Sequence, residues 1–446
     1  MALPATHADK RGAFQLIGET EPTSRKNVLL ILLAAALVLS LYINLGKVLL
    51  GSRYFALLAD AAVGALGGWV ILSHLLSGKR FQMLELFAAA FLILGLILIL
   101  HPNVPTYLAG IEGYRSLMFQ MIGLFIGLRA VRERADFFFL LRVVAIAAFP
   151  ILLYGIKQFF VLSSFDYALI ASNTAGLDTW QLFGKVRAFG LFNGPFHLGL
   201  CGGIVFWLAV GLWLEGKRKG WLVVALVAAL ACVASLTRSS LIALVGSIPI
   251  VLFAVYRRFR FKVAVITIAV AVVIGVSSFV LRTEWEELDR LMDSISSLES
   301  IAEDSRLTTR FEGYQRAANV VMEHPLGIGM GAAGDAMYRY FEPYGKIHIT
   351  SHNLFLWVLL ETGIPGLVLF LFVAYYLVRA VRSLLKGGEL TIGAISAGML
   401  LIMFIAGITG STIGAYPVNL LFWTLCGGLC AHARRLKGES SPSHAH

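Results

Sequence analysis

Twelve long apolar stretches, separated by short polar or basic segments, dominate the chain. They run over 28–46, 54–77, 84–100, 114–130, 137–162, 190–214, 219–234, 240–256, 261–281, 353–379, 389–411 and 416–432. A helix needs about 20 apolar residues to cross a bilayer. None of these runs alternates polar and apolar positions as a lipid-embedded barrel strand does. The pattern predicts an all-α polytopic membrane protein of about 12 transmembrane helices. The expected division is a tail at 1–27, helices 1–9 over 28–281, a helical loop domain at 282–352, helices 10–12 over 353–432, and a tail at 433–446.

Two longer polar stretches interrupt the runs, at about 163–189 and 282–352. Connections of that length in a compact protein are functional or disordered. The second reads as ordered. Trp285, Leu288, Leu291, Met292, Ile295 and Leu298 recur at helical spacing, which predicts an amphipathic helix over 284–301 lying on the bilayer surface. Its other face is acidic, as a solvated face would be. A second helix is expected over 306–323, with Phe311, Tyr314, Ala318 and Val321 on one side. Then His324-Pro325-Leu326-Gly327-Ile328-Gly329-Met330-Gly331 predicts a helix stop and a tight, close-approach turn. Such glycines alone are weak evidence of phosphate binding, since they neither follow a strand nor open a helix.

Composition narrows the class. Hydrophobic residues make up 58% and charged residues 14%, against about 25% charged in soluble domains. A water-soluble enzyme and a disordered chain are both excluded. The four cysteines, Cys201, Cys232, Cys426 and Cys430, lie inside apolar runs, where they suggest neither a disulfide framework nor a metal set. The first 27 residues are polar, so no secretory signal peptide is expected. The net charge of +11 reads as a topology signal. Most Lys and Arg fall in short segments on the side shared by both ends of a twelve-span chain. That side is expected to be cytoplasmic, with both long loops opposite it.

Candidate chemistry sits on the opposite, outward side. Arg187 follows the first long loop, in Val186-Arg187-Ala188-Phe189-Gly190. Arg238 occupies a very short loop, Leu236-Thr237-Arg238-Ser239-Ser240. Arg306 and Arg310 lie one turn apart in the second long loop, and His352 opens the tenth span in Ser351-His352-Asn353. Plainer roles remain open for each. Arginines at helix ends snorkel to headgroups, Arg306 and Arg316 are expected to pair with acidic neighbours, and His352 fits an ordinary interfacial histidine. Lys157 and Arg142 are expected to pair internally or snorkel. Glu361 lies roughly 13 Å deeper than His352 at helical rise, and is expected to make a buried, helix-fixing bond. Guanidinium groups hold phosphate oxygens bidentately and keep their charge. A histidine takes a proton from an attacking hydroxyl. Together they suit group transfer away from a phosphate leaving group without a metal, and no outward DxD or HExxH motif is present. A flippase or transporter would also use intramembrane charge, but it predicts internal repeats that the chain does not show.

His352-Asn353, nine residues, then Gly363-Ile364-Pro365-Gly366 resembles the H-[NSQ]-x9-G-x-x-[GTY] motif of bacterial O-antigen ligases. The same region is similar to the wider family that includes O-antigen polymerases and protein O-oligosaccharyltransferases. Arg310 through Gly331 resembles the family segment before that histidine. Arg187-Ala-Phe-Gly-Leu-Phe-Asn and Thr237-Arg238-Ser239 resemble its two upstream arginine positions. Roughly 190–370 carries the resemblance, which implies a metal-independent, inverting, GT-C-like glycosyltransferase of the bacterial inner membrane, acting on the periplasmic face. The implied donor is undecaprenyl-pyrophosphate-linked O-antigen and the implied acceptor is lipid A–core oligosaccharide, with no cofactor. It also implies His352 as general base and Arg187, Arg238 and Arg310 as pyrophosphate ligands, with Arg306, Asn353 and Gly329 in support. The complete histidine motif favours a ligase, since polymerases often depart from it. Protein O-oligosaccharyltransferases are usually longer at the C-terminal end. The 284–301 helix is expected to serve as a lid or lateral gate.

Overall fold

The computed structural model describes residues 27–51, 55–78, 80–172, 180–182, 185–255, 305–334, 336–349 and 352–439. The expected span at 261–281 and the amphipathic helix at 284–301 lie outside them. The described fold is all-α apart from one small hairpin. In chain order the helices are α1 (Val28–Leu41), α2 (Ile43–Leu50), α3 (Phe55–Leu76), α4 (Met83–Leu98), α5 (Tyr107–Leu117), α6 (Ile122–Ala130), α7 (Arg134–Phe160) and α8 (Ser164–Ala171). The hairpin, β1 (Gln181–Leu182) and β2 (Lys185–Val186), precedes α9 (Pro195–Gly216), α10 (Gly220–Ala234), α11 (Arg238–Val255), α12 (Ser305–Glu323), α13 (Leu354–Lys386), α14 (Leu390–Gly407) and α15 (Val418–Glu439).

Six of these helices are long and apolar enough to cross a membrane, or seven if the bent pair α1–α2 is one span. Three shorter apolar helices, Met83–Leu98, Phe119–Ala130 and Gly220–Ala234, add to the bundle. The protein is therefore a multi-pass membrane protein, but twelve full-length spans are not established among the described residues. Two expected continuous spans are broken. α1 and α2 meet at 59°. The stretch 114–130 is split by a 3-10 turn at Phe119–Met121 between α5 and α6. The tenth span runs on to Lys386 and is interrupted at Gly363.

α9 lies at the centre, with 72% of its apolar window buried, against 22% for α3 at the periphery. It packs on α7, α10, α11 and α14, while α6 packs on α15. Small residues set these distances, as expected where helices associate by close packing rather than by a hydrophobic drive. A Cβ at Gly202 of α9 would lie 2.6 Å from the Ala228 carbonyl of α10.

One end of the bundle is an ion-pair network. Arg134 holds Glu215 and, at 3.3 Å, Glu389, while Glu85 is shared by Arg129 and Arg434. Asn27 donates to the Ala130 carbonyl at 2.7 Å. The turns gathered here are those expected to face one side from their basic residues. The candidate chemistry occupies the other end.

Candidate functional site

Arg187 stands on a segment fixed by a single buried amide. The backbone N–H groups of Phe189 and Gly190 donate to Gln158 Oε1 at 3.1 and 2.7 Å. Gln158 Nε2 donates to the Gly190 carbonyl at 3.0 Å and to Asp166 Oδ1 at 2.7 Å. Every hydrogen-bonding atom of that side chain is thus used within the last turn of α7. Asp166 in turn accepts from the Tyr154 hydroxyl at 2.6 Å, from Lys157 Nζ at 2.9 Å and from the Ser163 amide at 2.6 Å. Burial works against its charge, but these donors outweigh it and hold the carboxyl well below the ordinary carboxylate range. Lys157 accordingly pairs internally. Farther along the segment, Asn44 Nδ2 donates to the Leu191 carbonyl at 2.9 Å and to Asn193 Oδ1 at 2.8 Å. Arg187 itself donates its backbone N–H to the Trp180 carbonyl at 3.0 Å, which closes the hairpin.

Arg238 is the first residue of α11. The turn before it is short because Leu236 adopts a left-handed φ of 47°, a conformation disfavoured for a branched side chain. Within that turn the Thr237 hydroxyl donates to the Ser235 carbonyl at 3.2 Å. α11 is drawn tightly onto α9, for a Cβ at Gly199 would lie 2.7 Å from Ser240.

His352 is exposed and immediately precedes the N-cap of α13. Asn353 is that cap. Its Oδ1 accepts from the Phe355 and Leu356 amides at 2.8 and 3.1 Å, and its Nδ2 donates to the Ile408 carbonyl at the end of α14 at 2.8 Å. The residue after the histidine therefore both starts the helix and ties it to its neighbour.

The glycine-rich turn docks against the break in α13. Pro365 lacks an N–H, so the Glu361 carbonyl loses its helical partner, and at Gly363 the backbone turns to φ 66°. The turn supplies what the break exposes. Ile328 N–H donates to the Leu360 carbonyl at 2.8 Å, Gly329 N–H to the Glu361 carbonyl at 3.3 Å, and Ile364 N–H to the Pro325 carbonyl at 2.9 Å. A Cβ at Gly327 would lie 2.7 Å from the Glu361 carbonyl oxygen, and one at Gly363 would lie 2.5 Å from the Pro325 carbonyl oxygen. Gly329 is buried against His101 and Val104. These glycines serve backbone-to-backbone packing. Glu361 completes the lock: fully buried, it accepts from the Ala333 amide at 3.0 Å, with the Gly331 and Gly334 amides also facing it. It fixes a loop to a helix, rather than helix to helix.

Asn103 clamps the same loop from the α4–α5 connection, donating to the Ile328 and Ile347 carbonyls at 2.9 and 2.8 Å and accepting from the Ile347 amide at 2.9 Å. Burial, with His324 nearby, holds His101 below the ordinary histidine range.

The elements bearing Arg187, Arg238 and His352 meet at this one end. Gly410 abuts Phe196 at the start of α9, and Gly407 abuts Leu354 at the start of α13. Arg306 and Arg310 lie in the first two turns of α12, and their side chains fall outside the described residues. α12 packs on α13, and it is Ala317 that is buried, whereas Ala318 is exposed. Arg316 is exposed and forms no ion pair with a described residue; the acidic run expected to pair with it lies outside the described residues. Arg142, also expected to pair or snorkel, is exposed on α7.

Sequence reasoning did not single out Gln158, Asp166, Asn103 or Asn44. Gln158 is a lone amide in an apolar run, which is a signal in a membrane protein. Ser163 and Asp166 form a capping box at the start of α8.

Residues 222–371 match the O-antigen ligase family model. That window holds Arg238, Arg306, Arg310, Gly329, His352, Asn353 and the break at Gly363, and leaves Arg187 outside. An O-antigen polymerase from Salmonella muenchen is 25% identical over 238 residues, covering 52% of this chain and 55% of that protein. The chain thus spans about half the length of the curated relative it matches. The match over 222–371, which carries the histidine motif and the glycine-rich turn that locks against it, makes that part of the chain similar to the O-antigen ligase family.

Proposed function

We propose that the chain is an O-antigen ligase that transfers O-antigen glycan from undecaprenyl pyrophosphate to a sugar hydroxyl of lipid A–core oligosaccharide. The observation that carries this reading is the histidine motif. It is complete in sequence, Asn353 caps α13 and Gly363 opens its break, and His352 beside them is exposed. Transfer takes place on the periplasmic face of the inner membrane. The acceptor oxygen attacks the anomeric carbon of the donor sugar as the bond to the phosphate oxygen breaks, so configuration inverts. His352 takes the hydroxyl proton. Arg187, Arg238 and Arg310 hold the pyrophosphate, whose charge grows as it leaves. Three guanidinium groups give that charge a counterion, so the reaction runs without a metal. Arg306, Asn353 and Gly329 support the site. Both substrates are lipid-anchored, so a multi-pass bundle collects them by lateral diffusion.

The similarity to an O-antigen polymerase favours one second reading, in which the acceptor is another lipid-linked glycan. The deciding experiment uses purified protein in lipid with EDTA, given lipid-linked O-antigen with or without lipid A–core. A ligase transfers glycan to lipid A–core only when it is present. A polymerase lengthens the glycan on its lipid carrier without it. No product in either arm overturns both readings.

A further inference from the structure

A crevice of about 450 Å³ opens at the basic end of the bundle, opposite His352, between the start of α4 and the later turns of α13 and α15. Its polar wall carries Arg379, Arg434, Gln82 and Ser383. Arg379 is exposed and forms no ion pair or hydrogen bond with a described residue. Arg434 reaches Glu85 at 3.3 Å, but that carboxylate is already engaged by Arg129. Arg129 and Arg434 therefore share one carboxylate while Arg379 pairs with no described residue, and the crevice keeps an excess of positive charge.

The crevice continues into an apolar seam. Tyr376 lines it and stacks on Phe87 of α4 with ring centroids 5.9 Å apart, and Phe87 stacks on Phe372 at 4.5 Å. Phe372 and Tyr376 are one helical turn apart on α13, so the aromatic strip runs from the crevice along the helix towards mid-bundle. Phe372 is exposed on the outer surface of the bundle. A cationic recess above an apolar strip has the amphiphilic outline of a phospholipid.

We infer that the crevice between α4, α13 and α15 binds an anionic phospholipid, its phosphodiester headgroup between Arg379 and Arg434 and an acyl chain along Tyr376, Phe87 and Phe372. Basic recesses between membrane helices recognise such headgroups through paired arginines and local field. The site is separate from glycan transfer and stands whichever acceptor that reaction uses.

Native mass spectrometry of the purified protein with equal phosphatidylglycerol and phosphatidylcholine tests it. Phosphatidylglycerol is retained preferentially by the wild type. Arg379→Gln lowers that retention about fivefold, the effect of one surface arginine on an anionic lipid, and Arg434→Gln acts likewise. Arg218→Gln, an exposed control on the same end outside the crevice, changes nothing. Arg379 is exposed and without a described partner, so its variant folds even if Arg434→Gln does not. A large excess of inorganic phosphate leaves the lipid bound. Equal retention of the two lipids, no effect of Arg379→Gln, or displacement by phosphate alone would each overturn the assignment.

Discussion

At the scale of single residues, the candidate site depends as much on buried amides and carboxylates as on the charged groups it presents. Gln158 accepts two backbone N–H groups and donates twice, so no common replacement repeats its pattern. Gln158→Ala leaves two buried N–H groups without an acceptor and is expected to cost about 1–3 kcal/mol of stability. It is also expected to raise KM for the lipid-linked donor more than it lowers kcat, because Arg187 sits two residues from the pinned amides. Gln158→Glu should not rescue, since it removes both donations and sets a second carboxylate against Asp166. Thermal unfolding and donor titration check both. Asp166 gives a pH dependence. Its carboxyl is depressed in the folded state, so its stabilisation is complete above the ordinary carboxylate value of about 4 and fades as pH falls below it. The difference in Tm between wild type and Asp166→Asn should be largest near neutral pH and should shrink below about pH 4.

At the scale of elements, the histidine motif is a piece of helix architecture. The spacing of nine residues between Asn353 and Gly363 sets the first part of α13 between its cap and its break, and Pro365 keeps the break open for the glycine-rich turn. Gly363→Ala would force a Cβ onto the Pro325 carbonyl and the Gly327 amide, both backbone. It should destabilise the protein by about 1–3 kcal/mol and loosen the turn at 325–331, which hydrogen exchange of the Ile328 and Gly329 amides reads directly. Protection unchanged from wild type would contradict the lock. Much of this is legible in the sequence. The apolar runs mark the helices, Pro325 the end of α12, and Glu361 a buried bond. The partner of each is not legible, because pairing across the chain leaves no local periodicity. Gly327 looks like a turn former whether it faces a phosphate or Gly363. The split between α5 and α6 is equally hidden, since the run from 114 to 130 reads as one apolar stretch until Gln120 is seen facing Asp60 at 3.5 Å.

At the scale of the whole molecule, the two ends of the bundle have different chemistry. One is an ion-paired basic end; the other carries His352, Arg187, Arg238 and the locked turn. If the basic residues face the cytoplasm, a membrane-impermeant maleimide added to intact cells should label Tyr344→Cys and leave Lys217→Cys unlabelled. Both positions are exposed, and the four native cysteines are buried. Labelling of Lys217→Cys from outside would reverse the orientation and place His352 on the wrong face for the proposed reaction. Amid these tests, one measurement bears most directly on glycan transfer at the His352 end. Purified wild type and His352→Ala are compared, with EDTA, for transfer of lipid-linked O-antigen to lipid A–core and for retention of the donor. Loss of a general base should slow transfer by about a hundredfold or more while the variant still retains the donor. Transfer at the wild-type rate by His352→Ala would contradict the assignment of the base and the site built around it.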